Sequence, residues 1–305
     1  MKTILKINKP RIFLILGIII ISLAVVMFYN PLFVKYLYSK TLWSLYVKNK
    51  IKSNNITSSN DLGLYYGFHG GTGLSIEGRK ITNLAGIDII PVDDLDIKNY
   101  FGKNLAPIDV MKLKSLSLEN CKVEKLPVFK HYRLSSIFFL NNSINDLSSL
   151  KTQPLEVVTI VDKNLDNIDF LPVKSIIVLN LKSDKLSDLS ILKNAHNLSR
   201  LWLKGRNISD ISVVSHLKKL WLLSLSNTNV SDLTPLKQGG IVKLEQLDLD
   251  NTPVSDLTPL VGISIRALDI TNTPAAKKQL PKSLKVSQLT GHTYIKKLSN
   301  EKTAK

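Results

Sequence analysis

From residue 116 onward, aliphatic side chains recur as a Leu-x-Leu pair, with a third aliphatic seven positions after the first and a fourth ten positions after it. The first member falls at Leu116, Ile137, Val158, Leu179, Leu201, Leu223, Leu247 and Leu268, at steps of 21, 21, 21, 22, 22, 24 and 21 residues. The third falls at Val123, Ile144, Leu165, Leu186, Ile208, Val230 and Val254, with Ala275 in the last unit. The fourth falls at Leu126, Leu147, Ile168, Leu189, Ile211, Leu233 and Leu257. Two weaker units, Leu74-Ser75-Ile76 and Leu95-Asp96-Ile97, continue the register backwards and raise the count from eight to ten. Period-2 alternation over such a short run predicts a strand. The return to the next strand is too short for a long helix. Ser-Asp-Leu-Thr-Pro-Leu at 231–236 and 255–260 offers Thr234 or Thr258 as a cap, with Pro235 or Pro259 at the first helical position. That chemistry predicts a single 3₁₀ or α turn.

No unit of this size can bury its own leucines, so the units must stack. The expected fold is an α/β leucine-rich repeat solenoid, with parallel strands on the concave face and short 3₁₀ or α turns on the convex side. The segments LLSLSNTNVSDLTPL (222–236) and QLDLDNTPVSDLTPL (246–260) resemble the repeats of the internalin type, found in bacterial surface proteins. The resemblance covers about residues 74–276 and implies the repeat fold and binding of a partner. In that family the position two before the third aliphatic is usually Asn, forming a buried ladder. Here it is Cys121, Asn142, Lys163, Asp184, Arg206, Thr228, Thr252 and Thr273. The ladder is therefore expected to break at Lys163, Asp184 and Arg206. The family's wall-sorting signal is matched only superficially, at 279–283, so wall attachment is not implied.

Ahead of the repeats, residues 12–29 are 18 consecutive residues without a charge, preceded by Lys2, Lys6, Lys9 and Arg11. That length can cross a bilayer. The basic flank predicts a cytoplasmic N-terminus, although Lys35, Lys40, Lys48, Lys50 and Lys52 reduce the asymmetry. A cleaved signal peptide competes, with cleavage near Ala24 in Ser22-Leu23-Ala24; the apolar Val-Val-Met-Phe-Tyr that follows favours an uncleaved anchor. Tyr29, Phe33, Tyr36, Tyr38, Trp43 and Tyr46 read as an interfacial belt. The organisation expected is a basic cytoplasmic N-terminus (1–11), one transmembrane signal anchor (12–34), a juxtamembrane segment and N-terminal cap (35–73), the repeats (74–276), and a C-terminal cap with a basic tail (277–305). Either reading sends the repeats to the periplasm or the cell exterior.

Composition sharpens this picture. The net charge of +17 suggests nucleic acid until it is divided along the chain. Residues 1–60 carry +9 and residues 277–305 carry +7, leaving +1 for 61–276. The basic excess sits at the two ends, where it suits solvated tails or anionic lipid, and no nucleic-acid partner is expected. One cysteine, Cys121, excludes a disulfide framework or a multi-cysteine zinc site. The five histidines, His69, His131, His196, His216 and His292, show no ligand spacing, so no metal or cofactor is expected. His69-Gly70-Gly71 resembles an esterase oxyanion-loop fragment, but no Gly-x-Ser-x-Gly nucleophile motif accompanies it. Asp188, Asp210, Asp232 and Asp256 recur once per unit and read as turn residues rather than paired catalytic acids. The chain is not expected to be an enzyme.

Residues flanking the two strand aliphatics point to the concave face. They form an apolar patch (Phe138, Leu140, Thr159, Val161), then Asn180 and a basic strip (Lys182, Arg200, Lys204) around Trp202, then Asp248, Asp250 and Asp269. Exposed aromatics and Arg are the residue types that most often carry binding energy. The function expected is a membrane-tethered repeat protein that binds a protein partner on this face. The alternative is an envelope-associated spacer whose basic ends hold anionic lipid or polymer.

Overall fold

In the computed structural model, residues 62–66, 71–129 and 133–291 are described. The proposed anchor at 12–34, the belt behind it, His69 and the tail after residue 291 lie outside them. Among the described residues no helix is long and apolar enough to cross a membrane.

The strands are β1 (Leu62–Tyr66), β2 (Thr72–Ile81), β3 (Asp94–Tyr100), β4 (Ser115–Glu119), β5 (Lys122–Lys125), β6 (Ser136–Leu140), β7 (Ser143–Asp146), β8 (Val157–Val161), β9 (Val178–Lys182), β10 (Arg200–Lys204), β11 (Leu222–Ser224), β12 (Lys243–Asp248), β13 (Ser264–Asp269) and β14 (Lys285–Thr290). All but β5 and β7 form one 12-stranded sheet. β1 pairs antiparallel with β2; every later pair in the sheet is parallel. The register joins Leu74, Leu95, Leu116, Ile137, Val158, Leu179, Leu201, Leu223, Leu247 and Leu268 across neighbouring strands. It continues from Leu268 to Leu289 in β14, a strand that the sequence pattern did not include among the repeats.

One face of this sheet carries the core. The paired aliphatics of the strands pack with Leu186, Ile208, Val230, Val254 and their counterparts in a single cluster running the length of the stack. The returns use 3₁₀ turns, with one α turn at Thr234–Gln238. The caps differ from expectation. Thr234 and Thr258 start their helices, and it is Asp232 and Asp256 that accept from the Thr234 and Thr258 backbone N–H groups, both at 2.8 Å. An aspartate two residues ahead closes an Asx turn and satisfies an N–H that the helix leaves open. A further departure is the small parallel sheet of β5 and β7 on the return side, in two units that lack the Thr-Pro signal.

The expected ladder break resolves into a change of turn. Asn120, Asn141, Asn227, Asn251 and Asn272, each four residues after a first strand aliphatic, have φ between 53° and 58°. Asn tolerates this left-handed conformation better than other non-glycine residues. The next residue then turns inward: Cys121, Asn142, Thr228, Thr252 and Thr273 are buried. Asn142 donates to Leu118 O and accepts from Cys121 N, both at 2.8 Å. The three threonines each donate to the carbonyl three residues back at 2.7 Å. Where the Asn is replaced by Ser183 or Gly205, the inward position falls one residue earlier, and at Asp162 and Gly205 the turn closes later, their carbonyls accepting from Leu165 N and Ile208 N at 3.2 Å. Ser183 Oγ donates to Leu165 O at 2.5 Å and accepts from Lys185 N and Leu186 N. Lys163, Asp184 and Arg206 are thereby carried outward and are exposed.

Gly205 is a hinge of this second geometry. Its φ is +155°, and a Cβ there would lie 1.8 Å from the Ser183 carbonyl oxygen. Gly262, with φ +96°, has nothing within 4 Å of its Cβ position. Gly205→Ala is expected to lower stability by about 3 kcal/mol, against about 1 kcal/mol for Gly262→Ala. Chemical denaturation followed by circular dichroism measures both; equal losses would contradict the close-approach account.

Candidate functional site

The parallel register places the residues expected at the binding surface on one face of the sheet, opposite the core. Phe138 stands beside Thr159, Thr159 beside Asn180, Asn180 beside Trp202, Trp202 beside Ser224, Ser224 beside Asp248, and Asp248 beside Asp269. Six strand spacings make this row about 29 Å long. A second row joins Leu140, Val161, Lys182 and Lys204. Most of these side chains are half-buried; Lys182 is exposed and Ser224 buried. The backbone beneath them is held on both sides by neighbouring strands, so their spacing is rigid.

Arg200 is the best-defined member. It begins β10, and its guanidinium carbon lies 5.7 Å from the centroid of the Trp221 ring. A cation over an indole face at that distance is attracted by the ring quadrupole. Arg200 Nε is buried and has no hydrogen-bond partner among the described residues. Trp221 is 40% exposed and Ile177, two strands away at the same edge, 38%. Neither was among the expected site residues. Both sit one position before a strand, where alternation points a side chain toward the core side, but the core ends before it reaches them.

The acidic end of the row is largely occupied with its own turns. Asp248 accepts from Ser224 Oγ at 2.8 Å and from Asp250 N at 3.0 Å. Asp269 accepts from the backbone and hydroxyl of Thr271, and Asp250 from Asn272 Nδ2 at 3.3 Å. At the opposite end Lys98 bridges Glu77 at 3.4 Å and Glu119 at 3.6 Å. The middle of the face, from Phe138 to Lys204, is where aromatic and cationic groups gather.

Chemistry elsewhere is accounted for by structure. Burial pushes the Cys121 thiol up to about 11, which keeps it protonated. Tyr65 lies against Gly73, where a Cβ would meet its ring at 2.4 Å; burial first, then Asp96 and Asp94, push its hydroxyl up to about 12. Among the described residues no group of three or more His, Cys, Asp or Glu could hold a metal ion. His196 and His216 are exposed and separate.

Parallel strands in 21- to 24-residue register, one continuous aliphatic core and single-turn returns define a leucine-rich repeat solenoid. The chain is similar to internalin C2 of Listeria monocytogenes, with 23% identity over 62% of this chain and 75% of that one, and a TM-score of 0.41. It is also similar to a second internalin of that organism, inlF, with 19% identity over 72% of this chain and 67% of that one, and a TM-score of 0.43. The repeat assignment stands on this chain's own register. No protein-family model and no curated protein matches the chain.

The repeated aspartates have a measurable consequence. The side chain and backbone N–H of Ser148 hold the Asp146 carboxyl below its ordinary value, and Thr234 does the same to Asp232; for Asp256 the Thr258 backbone N–H is the larger cause. A carboxyl lowered in the folded state stabilises it fully above the unfolded value of about 4 and loses that contribution as pH falls through the folded value. Thermal stability should therefore hold between about pH 7 and pH 5 and decline below about pH 4. The triple variant Asp146→Asn, Asp232→Asn, Asp256→Asn should show a shallower acid decline in a melting series; an unchanged slope would remove these groups from the account.

Proposed function

We propose that this chain is a membrane-tethered leucine-rich repeat protein that binds a protein partner through the concave strand face, outside the cytoplasm. The observation that carries the reading is the row that register sets along one face, Phe138, Thr159, Asn180 and Trp202, with Arg200 stacked on Trp221 at the strand edge. Trp and Arg dominate the binding energy of interfaces when a partner excludes water from them. Seating on paired strands favours affinity further, because little ordering remains to be done on binding. The solenoid body is nearly neutral, so contact is decided by shape and by this local cluster rather than by long-range charge.

The tether rests on the 18 uncharged residues at 12–29 and their basic flank. Full-length chain is expected to stay with membranes after carbonate washing, and a chain lacking residues 1–34 to be released; release of the full-length chain would support the secreted form.

Phe138→Ala with Trp202→Ala should leave thermal unfolding nearly unchanged while reducing cross-linked capture of the partner from membranes by at least about tenfold, the cost of removing one interfacial anchor. Unchanged capture would eliminate this face. Loss of capture on deleting 277–305 and in moderate salt would instead support the spacer whose basic ends bind anionic lipid or polymer.

A further inference from the structure

β7 ends a small sheet on the return side of the solenoid, away from the concave strand face. Among the described residues it pairs with β5 on one side only, and the next unit forms no strand at 165–168 to continue the sheet. A cleft of about 510 Å³ lies between β7 and that segment. Its floor includes Phe139, Ile160 and Leu165; Ile144, Leu147 and Phe170 are only partly buried beside it. In the following unit the counterparts of Ile144 and Leu147, Leu165 and Ile168, are covered. The opening coincides with the change from the Asn141 turn to the Asp162 turn, which sets the two return segments apart.

Three features fix the chemistry of an occupant. First, Ser143 N–H donates to Cys121 O at 2.8 Å, toward β5. In a parallel pair the next residue faces the other way, so the N–H and C=O of Ile144 are turned to the cleft. An unpaired strand edge with that exposure is a template for an added strand. Second, the half-buried Ile144, Leu147 and Phe170 offer an apolar seat. Third, the rim carries Asp146, Asp162 and Asp166, and no lining residue is Lys, Arg or His. Nucleic acid and anionic lipid are repelled by such a rim, and a cation-bearing chain is drawn to it.

We propose that this cleft binds an extended peptide segment in which Lys or Arg alternates with apolar residues. The segment adds to the free edge of β7, seats an apolar side chain on Ile144, Leu147 and Phe170, and sets its cations against Asp146, Asp162 and Asp166. This site is separate from the strand face and does not depend on that reading.

Fluorescence anisotropy with the full chain tests it, using a labelled Lys-Val-Lys-Phe-Lys-Val-Lys peptide, its Glu-for-Lys counterpart, and the Lys peptide N-methylated on alternate amides. The Lys peptide is expected to bind, with the Glu peptide and the N-methylated peptide each weaker by at least about tenfold. Asp162→Asn with Asp166→Asn should weaken the Lys peptide several-fold. A benzophenone at the Phe position should cross-link within 143–148 or 162–170. Equal binding by the Lys and Glu peptides, indifference to N-methylation, or cross-links on the strand face would each overturn the proposal. The peptide arms use the unaltered chain, so a variant that fails to fold leaves the test intact.

Discussion

The whole molecule depends on one burial problem repeated ten times. Each unit carries two aliphatic side chains on its strand and two on its return, and a chain of 21 residues has no second layer of its own to cover them. They leave water only when a neighbour's aliphatics meet them, as Leu179 meets Val158 and Leu201 in adjacent strands. Stacking then dictates the rest. Strands must be parallel because each unit enters in the same sense, the register must match because the aliphatic rows must match, and the return must be one turn because few residues are available. The ends of the stack have only one such neighbour. At the start, β1 folds back antiparallel and lays Tyr65 over Gly73. At the far end the apolar residues of β14, Val286 and Leu289, are only partly covered.

How much of this could be read in the chain itself follows from how local each signal is. The strand register was legible to the residue, since the Leu-x-Leu pair has one meaning once it recurs at 21 or 22 positions. The face of the sheet was equally legible, because alternation leaves no choice at Phe138 or Trp202. Less legible was β14, whose Val286-x-x-Leu289 spacing does not repeat the Leu-x-Leu spelling although the strand pairs in register. Trp221 and Ile177 were hidden for a different reason. Alternation assigns them to the core side, and only the actual extent of the core shows that they emerge from it.

Taken alone, Lys163, Asp184 and Arg206 at a ladder position suggest buried charge, which costs far more than a repeat can supply. The relevant residue stands one place earlier. Asn accepts φ near 55°, and the following side chain goes inward; Asp162, Ser183 and Gly205 do not adopt that conformation here, and the following side chain goes outward. The interior is then satisfied by another group, such as Ser183 Oγ. The exposed Arg206 finds new work, donating to the carbonyl oxygens of Thr228 and Asn251 in the next two units at 3.3 and 3.1 Å. The signal was present in the sequence, but at the Asn rather than at the ladder residue.

A stack with two turn geometries cannot be uniform where they meet. Between Asn141 and Asp162 the return segments part, and side chains that a regular solenoid would cover are left half-open at Ile144, Leu147 and Phe170. Between Gly205 and Asn227 the geometry changes back, but Gly205 and Thr228 form a backbone bridge and Arg206 spans the junction, so the core stays closed there. The two transitions are therefore inequivalent, and the difference lies in local bonding rather than in the repeat length. An opening retained at one junction and sealed at the other places the irregular flank beside β7 and leaves the strand face above it unbroken. Two surfaces of different character then coexist on one core: a rigid row built by register, and a cleft built by its interruption.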